Sequence, residues 1–233
     1  PRETPLLRMN PFAFPENIHI LEHIDRLVEI FNACWPMYAA MPAVLKDAIE
    51  RSYQKVGWDL RNSESEKGIF PTFFDLLDIL PGVIEESHYS KDTQSDYVGA
   101  LCTRVKSLTN GIYGSVLCAE DALSDAEMFD QNVIVDLSRV GSMETKSLLM
   151  GILVMKLQEY RMCSSGMNSR LRHVTVLEEA HNLLRKTSAE QSQEGANLQG
   201  KSVEMLANAI AEMRTYGEGF IIADQAPGLL DMS

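Results

Sequence analysis

His173-Val174-Thr175-Val176-Leu177-Glu178-Glu179-Ala180-His181 is the stretch on which the fold turns. A short β-branched apolar run closes on two adjacent acids. Such runs read as parallel strands buried on both faces. Downstream, Gly219-Phe220-Ile221-Ile222-Ala223-Asp224-Gln225 repeats the form, ending in an acid and an amide. Upstream, Val133-Ile134-Val135-Asp136-Leu137 reads as a third strand of the same kind, carrying Asp136. A long apolar helix over 144–161 separates the first two strands. A polar stretch over 185–202 and a helix from Val203 to Arg214 separate the last two. Strand, helix, strand, helix, strand predicts the α/β class, a parallel sheet flanked by helices. Right-handed crossovers bring all three strand ends to one sheet edge, where ligands bind in such folds.

The preceding region has a different texture. Leu6-Leu7-Arg8-Met9 reads as a strand closed by the turn Asn10-Pro11. Ile20, Ile24, Leu27, Val28 and Phe31 recur at helical spacing until Pro36. Pro42 opens a second helix with Val44, Leu45, Ala48, Ile49 and Tyr53 as its apolar stripe, ended by Gly57-Trp58. A polar loop spans 61–68, and a third helix starts at Phe73 after Pro71. Residues 86–96 are polar. Tyr97, Ala100, Leu101, Val105 and Leu108 make a fourth helix, closed by Asn110-Gly111. The organisation expected is a core of 1–17 and 129–233 with a mainly helical insertion over 18–128.

Composition narrows the function classes. Of 233 residues, 45% are hydrophobic and 23% charged, which excludes a disordered or collagen-like chain. The longest apolar stretch, Leu148 to Met155, is under half the ~20 residues a membrane span needs. Four cysteines lie far apart with no CxxC pair, which argues against a disulfide framework and for a reducing cytoplasmic compartment. The net charge is −12, from 33 acids against 21 bases, so a broad basic face for nucleic acid is not expected. A ring that grips DNA with a few pore residues remains compatible with an acidic exterior. The chain starts at Pro1 with no signal peptide and stops without a tail signal, and so reads as a piece of a longer protein.

Acidic side chains are expensive to bury unpaired, yet Asp136, Glu178-Glu179 and Asp224-Gln225 all cap apolar strands. A magnesium–nucleotide site accounts for them. In phosphoryl-transfer enzymes one strand-end acid holds Mg2+, a neighbouring carboxylate orients the attacking water, and a polar residue on the adjacent strand meets the γ-phosphate. The plainer alternative is that Glu178 and Glu179 open the next helix, where negative charge suits the dipole. Arg214 likewise has two readings. It is either an arginine finger or a cation stabilising a helix C-terminus.

Gly195-Ala196-Asn197-Leu198-Gln199-Gly200-Lys201-Ser202 fits the phosphate-loop pattern G-x-x-x-x-G-K-[ST] letter for letter. A phosphate loop needs a buried strand immediately before it, and Lys186 to Glu194 is polar throughout. The match also follows the acidic strand instead of preceding it. It reads as a coincidence, with Gly200 and Ser202 starting the next helix. The five histidines have no metal spacing, and His23 reads as a surface or interface residue. Arg161, Arg170, Arg172 and His173 read as a modest basic patch around a Ser-Ser-Gly-Met-Asn loop.

Together these residues carry a resemblance. The strand Val174 to Leu184 resembles the Walker B strand of the HerA–FtsK superfamily of P-loop ATPases, particularly its HerA-like branch. Ala211 to Pro227 resembles that branch's arginine helix and glutamine-bearing sensor strand. Asn10-Pro11-Phe12 is similar to the turn after the family's second core strand, and His23 to Leu60 to the insertion that follows it. The resemblance implies a partial RecA-like core that works in a homo-oligomeric ring, usually a hexamer, with ATP and Mg2+ at subunit interfaces. It implies that Glu178 holds Mg2+ through water, Glu179 is the catalytic base, Gln225 contacts the γ-phosphate and Arg214 is the finger. It implies translocation on double-stranded DNA, with a NurA-type nuclease or another effector as partner, or alternatively conjugation or type IV secretion. A non-catalytic scaffold of the same fold is the third alternative. The family's phosphate loop would stand before Asn10-Pro11-Phe12, so this piece alone is expected to be inactive.

Overall fold

The structure is a computed structural model that describes residues 6–119, 121–184 and 193–225. It is a mixed α/β chain in two compact units, whose division falls within helix α1 (Ile20–Cys34), between Asp25 and Arg26.

The first unit gathers residues 1–14, 19–25 and 40–124. Its core is α2 (Met41–Lys55) packed on α3 (Phe73–Glu86), with α5 (Thr103–Thr109) against α3. The stripe expected on α2 is the buried one, from Val44 and Leu45 to Tyr53. A two-residue bridge of β1 (Trp58–Asp59) and β2 (Glu64–Ser65) follows α2. Thr72 caps α3 in a box with Asp75, whose carboxylate accepts the Thr72 backbone N–H at 2.9 Å. The Asn10-Pro11 turn forms as expected. Asn10 Oδ1 accepts the Phe12 N–H at 3.0 Å, and Asn10 Nδ2 donates to the Pro71 carbonyl at 2.9 Å. Phe12 then packs edge-on against Phe73, with centroids 5.0 Å apart.

Three details of this unit differ from expectation. Residues 6–9 form no strand; Met9 donates to the Val116 carbonyl at 2.8 Å instead. The polar segment before Tyr97 is helical, as α4 (Lys91–Tyr97), because Ser90 caps it and Gln94 is buried. The Gln94 amide donates to the carbonyls of Glu85 and Ser87, so a polar residue does the packing there. A π-helical turn over Val98–Cys102 joins α4 to α5, and α6 (Gly111–Leu117) follows. His23 is fully buried beside Phe14, with ring centroids 4.9 Å apart, and is no surface residue.

The second unit gathers residues 15–18, 26–39 and 125–233. After the short α7 (Asp125–Phe129), helix α8 (Met143–Ser164) is buried on most of its circumference, as an apolar helix without a polar face must be. Gly151 lets it approach α1 closely, since a Cβ there would stand 2.8 Å from Ile30 Cγ2. The sheet pairs β3 (His173–Glu178) with β4 (Glu218–Ala223) in parallel, His173 opposite Glu218 and Glu178 opposite Ala223. Helix α9 (Gln193–Glu212) makes the connection and packs on α8.

The third expected strand is not in the sheet. Residues 133–137 form no strand, with Ile134 94% exposed. A β-branched run becomes a buried parallel strand only where neighbours lie beside it, and none of the described strands does. Asp136 therefore stands at no sheet edge. Its Oδ1 accepts the Ser138 N–H at 2.8 Å in a local turn. Residues 185–192 of the expected polar stretch lie outside the described residues. Residues 195–202 belong to α9, whose glycines and lack of early apolar period hid its first turns. No helix among the described residues is long and apolar enough to cross a membrane, and all four cysteines are free.

Candidate functional site

The register brings two strand ends to one edge. Glu178 ends β3 opposite Ala223, so Glu179 on one strand and Asp224-Gln225 on the other leave the ladder side by side. Glu178, Glu179 and Gln225 are exposed there. Glu179 adopts φ 52° and ψ 43°, a left-handed conformation that costs a non-glycine residue roughly 1–2 kcal/mol. Such strain persists only where the surroundings fix it, and it clusters at functional positions. Here the following 3-10 turn, Ala180–Asn182, fixes it. Ala180, Leu183 and Leu184 are buried, and the Ala180 carbonyl accepts the N–H groups of Leu183 and Leu184 at 2.9 and 2.8 Å. The turn is thus anchored by apolar contacts while its acids face outward.

Glu179 also meets a cation. Lys146 Nζ, from the start of α8, donates to Glu179 Oε2 at 3.3 Å. The Glu179 side chain is 54% exposed, so this pair adds no more than about 1 kcal/mol and leaves the carboxylate accessible. Sequence reasoning missed Lys146. The available signal was a cation near a helix N-terminus, where the dipole disfavours it.

Behind this edge, Asp224 is buried, its side chain 2% exposed. Its Oδ2 accepts both the backbone N–H of His181 and the His181 Nδ1, each at 2.8 Å. Gln225 follows it directly.

Arg214 is not brought to this edge. It lies exposed in the 3-10 turn Met213–Tyr216, which enters the opposite end of β4. Six residues of β4 intervene, roughly 20 Å of strand. Gly217 holds the turn. Its φ is 81°, and a Cβ there would lie 2.4 Å from the Arg170 carbonyl oxygen.

That same end carries a buried ionic network in place of the expected basic patch. Glu218, with a wholly buried side chain, accepts from Arg161 Nε at 2.9 Å, His173 Nδ1 at 2.7 Å and Thr175 Oγ1 at 2.7 Å. Arg161 also donates to Asp130 at 2.7 Å and to the Phe129 carbonyl, and the Tyr160 hydroxyl donates to Asp130. Tyr160 and then Arg161 hold the Asp130 carboxyl below its ordinary range. Arg170 and Arg172 alone of the patch stay exposed.

The arrangement excludes some chemistry. Burial raises the thiols of Cys34, Cys102, Cys118 and Cys163, so none of them is primed as a nucleophile. No group of three or more potential ligands could form a metal cage among the described residues. Two outward carboxylates and an amide on parallel strand ends suit an activated water and a phosphate-bound cation.

No family model matches the chain, and no curated protein does. Among solved structures, VirB4 of Thermoanaerobacter pseudethanolicus superposes on 97% of this chain with a TM-score of 0.64 and 16% identity. The chain spans 56% of the length of that structure's chain. At this identity the likeness is one of architecture: the chain has an α/β fold similar to that of VirB4.

Proposed function

We propose that residues 1–233 are the C-terminal part of the motor domain of a P-loop ATPase of the HerA–FtsK superfamily. The observation that carries this reading is the strand edge itself. Glu178, the strained Glu179 and Gln225 leave two parallel strands side by side. The fold likeness to VirB4 supports the superfamily and gives no vote for its HerA branch.

In this reading Glu178 holds Mg2+ through water. Magnesium keeps several waters and takes one or two carboxylates with the substrate phosphates, so an exposed strand-end acid without a ligand cluster fits it. When bound, Mg·ATP supplies the transferable phosphoryl group and neutralises its charge. Glu179 orients the attacking water and takes its proton, its backbone already fixed by the Ala180 turn. The Gln225 amide meets the γ-phosphate. Arg214, a strand's length away, serves a neighbouring subunit's nucleotide, which calls for a homo-oligomeric ring.

The same reading assigns 1–17 and 129–233 to the core and 18–128 to a helical insertion. The helical conformation of residues 195–202 supports a phosphate-cradling loop supplied from outside these 233 residues. Val174, Val176 and Ile221 expose an apolar sheet face that such a segment would cover. Conjugation or type IV secretion is the cargo reading that the VirB4 likeness favours. Movement along double-stranded DNA, with a NurA-type nuclease or other effector, is the second. Stimulation of turnover by DNA separates them.

The test is Glu179→Gln in the intact protein. It should bind Mg·ATP and lose turnover by roughly 10²–10⁴-fold, the range for a general base. Turnover at the wild-type rate overturns the assignment.

A further inference from the structure

The β3–β4 ladder ends at Glu178 and Ala223, yet the two chains remain tied beyond it. The tie is a side chain. Asp224 Oδ2 accepts the His181 backbone N–H, which a strand carbonyl would otherwise receive, and also the His181 ring at Nδ1. A carboxylate is costly to bury unless it is hydrogen-bonded, and Asp224 is almost wholly buried. Capping the 3-10 turn explains the first of these bonds. It does not explain the second, which fixes the orientation and tautomer of an imidazole in the way a carboxylate orients a working histidine.

The positions joined are the ones that matter. His181 lies two residues after the strained Glu179, and Asp224 immediately precedes Gln225. With Nδ1 held, Nε2 is the ring's remaining polar atom, on a side chain 24% exposed, and no described residue hydrogen-bonds it. A displacement of Gln225 would move Asp224, then the His181 ring and turn, and so the backbone that aims Glu179.

We propose that His181 and Asp224 are a positioning pair that couples the Gln225 strand end to the Glu179 turn. The pair transmits contact at the γ-phosphate to the group that handles the water. This rests on the proposed ATPase reading. Neither residue needs to touch the nucleotide.

Steady-state ATP turnover of the intact protein tests it, with wild type, His181→Ala, Asp224→Asn and the double variant. His181→Ala keeps the backbone N–H and so keeps the cap. A mere cap predicts wild-type turnover. The positioning pair predicts a kcat lower by on the order of tenfold or more with KM for Mg·ATP little changed, as for other orienting partners. The double variant should be no worse than the worse single, because the residues act as one unit. Wild-type kcat in His181→Ala, or losses that multiply in the double, overturns the proposal. Nitrogen-15 NMR of the 233-residue chain gives a second readout without nucleotide. The His181 ring should carry its proton on Nδ1, and Asp224→Asn should shift that resonance. A proton on Nε2 alone overturns the proposal even if a variant fails to fold. A wild-type protein with no turnover refutes the ATPase reading and this inference together. Wild-type turnover with an unimpaired His181→Ala refutes this inference alone.

Discussion

Replacing Arg161 by Met probes the network at the base of the sheet. Among the described residues the guanidinium is the one permanent cation on the Glu218 carboxylate, and both side chains are shut from water. Removing one partner of a buried pair costs about 3–5 kcal/mol, because the other charge is stranded. His173 and Thr175 still donate at 2.7 Å each, which favours the lower end of that range. The Phe129 carbonyl loses its donor as well, adding about 1 kcal/mol. Asp130 is half exposed and keeps Tyr160, so its loss is small. Met fills the stem of the arginine and limits the cavity. The expected total is about 3–4 kcal/mol, equivalent to roughly 6–15 °C in Tm for a chain of this size. Urea unfolding followed by far-ultraviolet circular dichroism reads it, with an unchanged slope. Adding Glu218→Gln removes the stranded charge, so the double variant should be more stable than the sum of the singles by about 1–3 kcal/mol. A loss below about 1 kcal/mol for Arg161→Met, or strict additivity, refutes the reasoning.

Gly217→Ala should destabilise the chain by more than the roughly 1–2 kcal/mol of a left-handed alanine, because the new Cβ meets the Arg170 carbonyl at 2.4 Å. A thermal melt within a degree of wild type would contradict this. Asp130 has a depressed folded-state pKa, so its stabilisation is complete above the unfolded value near pH 3.9 and is lost as pH falls through the folded value. Asp130→Asn should therefore flatten the acid limb of the stability curve below about pH 4, measured as urea midpoints against pH. Thr72→Ala removes the α3 cap and should lower stability by about 1 kcal/mol by the same measurement.

What was legible in the sequence was what is local. The runs ending in Glu178-Glu179 and Asp224-Gln225 announced β3 and β4, and an apolar strand that ends in acids needs a reason at that end. The stripe on α2 and the long α8 were readable for the same cause. The pairing of strands was not, since residues 133–137 have a strand's composition but no described neighbour to ladder with. Nor was the part of α4 before Tyr97, where the buried side chain is the amide of Gln94. The site's supporting residues were hidden by distance along the chain. Lys146 lies 33 positions from Glu179, and Asp224 lies 43 from His181. Arg161 looked basic and solvated because its partner Glu218 lies 57 positions on. The phosphate-loop pattern at 195–202 has a polar approach in the sequence, and its residues lie in α9.

Subunit mixing in the intact protein tests the central claim most directly, that Glu179 and Arg214 serve one nucleotide from different chains. Glu179→Gln and Arg214→Ala should each abolish ATP turnover alone. Mixed and allowed to exchange subunits, they should regain a fraction of it, because some interfaces then pair an intact Glu179 with an intact Arg214. A mixture as inactive as its components, or full turnover in either variant alone, would contradict the account.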